Sequence, residues 1–107
     1  MTEKINWMLG MTDNMLGLAE KNKGMPMMDE MYSMISTLMG NLNHMKMMEN
    51  MDMHMVGMME QMMRSMENMM MHMDPANDMQ KGMMKNMMKY MIVMQMNMMM
   101  TSMSMNK

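Results

Sequence analysis

The sequence predicts an all-α protein, an antiparallel four-helix bundle with a Met-lined core. Three observations predict it. Apolar residues recur at alternating steps of three and four, the period of a helix face. Met, a good helix former, supplies 38 of the 107 residues, while β-branched residues are scarce. Turn signals divide the chain at Gly24–Pro26, near Asn50–Asp52 and at Asp74–Pro75. The length suits a single domain over 1–107, with helices at about 2–22, 26–48, 51–73 and 75–100 and a polar tail over 101–107.

The first helix carries Ile5, Met8, Met15 and Ala19 near one stripe, flanked by Leu9, Met11, Leu16 and Leu18. It ends at Lys21-Asn22-Lys23-Gly24, where lysines complement the helix dipole and Gly24 suits a left-handed cap. Pro26 fits the first turn of the second helix, with Asp29 and Glu30 at its positive end. Its seam is Met28, Met31, Ile35, Leu38, Leu42 and Met45, a heptad pattern. No Gly or Pro interrupts 41–56, yet one helix from Pro26 to Met73 would be about 72 Å long, too long for a small compact domain. A turn near Glu49–Asp52 is therefore expected, with Asn50 or Asp52 as N-cap; a break at Gly40–Asn43 is the alternative.

The third helix has the seam Met51, Met55, Met58, Met62, Met66, Met69, Met73, every position Met. Asp74-Pro75 ends it, because the residue before Pro avoids the α region. Pro75 or Asn77 opens the fourth helix, whose seam Met84, Met87, Met91, Met94, Met98 is again all Met. The tail Thr101–Lys107 is polar and expected to fray.

Composition excludes several functions. With no Cys there is no disulfide framework, thiolate zinc site, iron–sulfur cluster or Cys nucleophile. No Phe, one Trp and two Tyr offer no platform for stacking bases, and a net charge of −2 offers none for phosphates, so no nucleic-acid partner is expected. No run reaches 18 apolar residues, so no membrane span is expected. Glycine-rich phosphate loops, nucleophile elbows and Glu-x-x-His motifs are all missing from the sequence, and an enzyme is not expected.

What needs explaining is the Met. Ordinary core formers are only Leu at five positions, Ile at three and Val at two, so Met must fill the interior. It is a poor choice for packing alone, being flexible and costly to order. Moreover, a bundle of this size has about 30 interior positions. Met, Leu, Ile, Val and Trp together number 49, so many Met must lie at the rim or surface. The excess is uneven: residues 51–107 hold 25 Met and almost no aliphatics, while seven of the eight Leu and Ile lie in 1–50. The first hairpin reads as a packing half and the second as a ligand-bearing half.

A thioether is a soft, neutral donor that favours Cu(I), and Ag(I) by the same argument, over hard ions or zinc. Thioethers three or four residues apart share a helix face and can converge on one ion, with a third from a facing helix. The candidate ligands are Met51, Met55, Met58, Met59, Met62, Met63, Met66, Met69 and Met73 in the third helix, and Met84, Met87, Met88, Met91, Met94 and Met98 in the fourth. Three histidines stand beside thioethers: His44 before Met47 and Met48, His54 between Met51 and Met58, and His72 after Met69. His54 and His72 join the candidate set, since imidazole also suits copper. Each such His is otherwise a solvated residue near a helix end, as each Met is otherwise core.

These repeated MxxM, MxxxM and MxM spacings, with HxxM at His44/Met47 and MxxH at Met51/His54 and Met69/His72, resemble the methionine-rich copper- and silver-binding proteins of bacterial envelopes. The bundle is also similar to the copper storage proteins, which characteristically use Cys where this chain has Met. The resemblance implies Cu(I) sequestration or storage inside a bundle, a periplasmic or extracellular address (the cytoplasm being the alternative), and a copper chaperone or cuproenzyme as partner. The change of ligand has a consequence. A thiolate cancels one copper charge and a thioether cancels none, so dense loading is limited by repulsion unless anions or carboxylates contribute. Two other functions fit the composition: an adaptable Met surface that binds apolar peptides or partner helices, and an oxidant sink working through the sulfoxide.

Overall fold

A computed structural model describes residues 2–105. It contains four helices: α1 over Thr2–Lys21, α2 over Met28–Met45, α3 over Met53–His72 and α4 over Asp78–Met105. Among the described residues there is no strand. The bundle measures 47 × 21 × 18 Å, its length set by α4. The predicted four-helix bundle is present, and each helix end has a local cause.

α1 closes where Gly24 takes φ 96°, in the left-handed region open to glycine. The chain then turns through three-residue backbone hydrogen bonds, Met25 N–H to Asn22 and Met28 N–H to Met25. That turn takes up Pro26 and Met27, so α2 begins at Met28 and Pro26 lies outside it, not in its first turn. Met27 pays for the sharp turn with φ 69°, which a side chain disfavours. α2 passes through Gly40 without a break and ends at Met45, where bonds from Met47 N–H to His44 and from Met48 N–H to Met45 tighten the chain. Asp52 caps α3, its Oδ1 accepting from His54 and Met55 N–H at 2.9 and 3.3 Å. Asn77 caps α4, its Oδ1 accepting from Gln80 N–H at 3.1 Å; Pro75 precedes the helix. α4 continues through 101–105, where fraying was expected. Its Ser102 hydroxyl donates to the Glu49 carbonyl and ties this last part to the 46–52 connection. Residues 106 and 107 of the expected tail lie outside the described residues.

The lateral order is α3–α1–α2–α4, and of the neighbouring pairs α3 and α4 touch least. α1 and α3 are neighbours that run the same way, joined by Lys4 to Glu60 and by Asn14 to Glu67. α2 and α4 do likewise through Glu30 to Lys85 and Asn41 to Gln95. Consecutive helices α2 and α3 share no contact, so the 46–52 connection crosses the end of the bundle on the diagonal. Short turns alone suggest consecutive helices packed side by side; here two of the four neighbour pairs are parallel.

Most of the buried apolar side chains are Met, packed around Ile5, Ile35, Leu38, Leu42 and Val56. The α2 seam is buried at all six expected positions, Met28, Met31, Ile35, Leu38, Leu42 and Met45. In α3 the buried stripe is Val56, Met59, Met63, Met66 and Met70, displaced one residue from the expected seam, of which Met51 and Met66 alone are buried. Ile35→Val removes one fully enclosed methyl and should cost about 0.5–1.5 kcal/mol in urea unfolding.

Buried polar groups tie the helices in pairs. Glu60 accepts from Arg64 at 2.7 Å and from Lys4 at 3.3 Å. The Arg64 hydrogen bond, with help from Lys4, holds its carboxyl below the ordinary glutamate value despite opposing desolvation. A carboxyl lowered on folding contributes stability that is present above its unfolded value and lost as pH falls through the folded one. Glu60→Gln should therefore flatten the acid loss of helicity, followed by circular dichroism between about pH 5 and pH 3. Gln95 is fully buried and donates to the Leu38 carbonyl at 3.3 Å while accepting from Asn41 at 2.9 Å. Lys81 is also buried; its ammonium lies 3.2 Å from Asp78, with no hydrogen bond of good geometry.

Candidate metal centre

Because α3 and α4 are each held to a different helix, a groove runs between them. It is a chain of cavities that share residues. At the end where α3 begins, a cavity of about 410 Å³ is lined by Met51, Asp52, Met55 and Met98 with Asn50, Asn97, Thr101 and Ser102. Met55 and Asn97 lead into a second, with Met58, Met62, Tyr90, Val93 and Met94. Met58 and Met62 lead into a third, with Gln61, Ser65 and Met87. Met87 leads into the last, of about 320 Å³, lined by Met69, His72, Met73, Met83, Met84, Asn68 and Gln80 where α3 ends. Together the four cavities follow the α3–α4 interface from one end of α3 to the other.

The sequence-predicted ligands divide between groove and core. Met51, Met55, Met58, Met62, Met69, His72 and Met73 of the α3 seam line the groove, facing Met84, Met87, Met94 and Met98 of α4. Met59, Met63, Met66, Met88 and Met91 do not. Each is fully enclosed in the core, where it packs with the Leu and Ile of α1 and α2. His54 is exposed beyond the N-cap of α3 and lines none of these cavities, and His44 is exposed on α2. Met83 lines the groove and was not among the predicted ligands. Its four-residue step to Met87 was the available signal, obscured because Met83 and Met84 are adjacent.

Among the described residues eleven Met line the groove, so its donors are predominantly thioethers, and its polar groups are mostly neutral amides and hydroxyls. Asp52 is the one carboxylate among the described lining residues, and both its capping bonds fall on Oδ1. Among the described residues no three His, Asp or Glu side chains converge. Among the described residues no helix is long and apolar enough to cross a membrane. Comparison with protein-family models, curated proteins and solved structures finds no match.

Proposed function

We propose that this protein binds Cu(I), and Ag(I) by the same chemistry, through thioethers along the α3–α4 groove, and that it sequesters or stores the ion. The observation that carries this reading is where the surplus Met goes. The core takes one stripe of α3, Met59, Met63, Met66 and Met70, and the second stripe, Met55, Met58, Met62 and Met69, faces α4 across an open cleft. Burial gives no reason for a second all-Met stripe, whereas soft-ion coordination does. Neutral ligands leave each ion its charge, so occupancy stays well below one ion per three thioethers, with Asp52 able to offset one charge at the end where α3 begins. Because a thioether need not lose a proton, binding persists in mild acid. A copper chaperone or cuproenzyme as partner, and an envelope location, belong to this same proposal.

Anaerobic titration with Cu(I) against a competing chelator tests the proposal, with anomalous scattering at the copper edge to locate the ions. The expected result is several equivalents, all in the groove. Indifference to both cuprous and silver salts would end the proposal. One feature favours a second reading, capture of an apolar helix: Tyr90 and Val93, 65% and 57% exposed, stand on the groove's rim and are not copper ligands. Copper-independent binding of an amphipathic peptide would support it.

A further inference from the structure

We infer that the end of the groove where α3 ends is a mixed imidazole–thioether copper site, distinct from the imidazole-free remainder and the first to fill. The inference rests on the reading that the groove takes Cu(I), and it assigns a different ligand chemistry to one end of it.

His72 is the last residue of α3. Its Nδ1 lies 2.8 Å from the backbone carbonyl oxygen of Asn68, one turn back along α3. A carbonyl oxygen only accepts, so Nδ1 carries the proton and donates it. In the neutral ring this leaves Nε2 with a lone pair and no hydrogen, and so able to ligate a metal. Metal-bound histidines characteristically show this arrangement, the second ring nitrogen donating to a carbonyl or carboxylate that fixes tautomer and orientation. Here the backbone of α3 sets it in the free protein.

Further soft donors line the same cavity as this exposed histidine. The cavity that His72 lines also presents Met69, Met73, Met83, Met84 and Met87, thioethers from both helices. No carboxylate or cationic side chain lines it. Its Gln80 side chain is occupied, Oε1 accepting from Asp74 N–H at 2.9 Å, which pins the α3–α4 turn over this end. The other histidines lack such a setting: His44 and His54 line none of the groove's cavities. Imidazole is a good copper ligand in general, and thioether selects the monovalent ion; of the groove's cavities this is the one that offers both.

The test uses the full chain with ¹⁵N-labelled histidine, kept anaerobic and titrated stepwise with Cu(I) supplied as its acetonitrile complex. The first equivalent is expected to shift Nε2 of His72 and to leave the rings of His44 and His54 unmoved. His72→Gln is expected to weaken the first binding step by about tenfold or more while sparing later equivalents. A thermal melt of the metal-free variant shows whether it is folded, and the labelled parent protein gives the ring readout without any substitution. If copper binds and the first equivalent leaves His72 Nε2 unchanged, or moves all three rings alike, the mixed site is wrong while the groove reading stands. If no copper binds, both fall together.

Discussion

Leucine at four groove positions together, Met55→Leu, Met58→Leu, Met62→Leu and Met94→Leu, should remove Cu(I) from the middle of the groove and leave the bundle folded. These side chains are half-buried or exposed and line the central cavities between α3 and α4. Leu for Met conserves volume and apolarity, which even in a tight core usually costs less than about 1.5 kcal/mol. At partly exposed sites the cost is smaller, although four neighbours need not add simply. The sulfur is lost, and with it all affinity for a soft ion at those positions. A chelator-competition titration should show fewer copper equivalents, with the unfolding midpoint little changed. The matching control places Leu at Met59, Met63 and Met66, enclosed in the core; copper uptake should be unaltered. Equal copper loss in both variants would mean that the ions enter the core, and no loss in the first would mean that they bind elsewhere.

Lys81→Met should stabilise the protein by about 1–4 kcal/mol. The Lys81 side chain is 1% exposed and lies in the buried stripe of α4 between the bundle's apolar residues. Burying an ammonium costs several kcal/mol of solvation, and attraction to one carboxylate repays it only with good geometry and further hydrogen bonds. Here the partner Asp78 is 71% exposed and the ammonium makes no hydrogen bond. Removing the cation leaves Asp78 in water, in the first turn of α4, where a negative charge is favoured by the helix dipole. No buried charge is orphaned, which is the usual reason that breaking an ion pair destabilises. Met is close to Lys in length and fills the same space. The urea midpoint should rise; a fall would mean that Lys81 is held by more than Asp78.

How much of this was legible in the sequence follows from contrast. Four helices and the α2 seam could be read, because Leu, Ile, Gly, Pro, Asp and Asn stand out against Met; the starts of α3 and α4 were narrowed to Asn50 or Asp52 and to Pro75 or Asn77, and the structure selects Asp52 and Asn77 as the caps. The buried face of α3 could not be read in the same way. Met occupies both members of the pairs 58/59, 62/63 and 69/70, so two adjacent stripes fit the helical period equally well. Val56, the lone aliphatic of that helix, was the clue to the correct stripe, and it is fully buried. The α4 seam was half right for a related reason. Met84, Met91 and Met98 are in the core, but the remaining core positions are Lys81, Met88, Gln95 and Ser102, three of them polar residues that an apolar pattern passes over. The lateral order was not legible either. Turn lengths fix which helices are joined, but which helices lie side by side depends on pairs such as Lys4 with Glu60 and Asn41 with Gln95, some fifty residues apart.

The thin contact between α3 and α4 makes the molecule resemble a book. The α1/α2 hairpin is the spine, and each outer helix is a cover hinged to one side of it. A cation ligated from both covers acts as a clasp across the fore-edge. Loading should then tighten an edge that side-chain packing leaves loose, and the thermal midpoint should climb with free Cu(I), by the equivalent of about 2.7 kcal/mol at a hundredfold excess over Kd for one site. Such a closure can also accept guests of different radius, since the spine need not repack when the covers move.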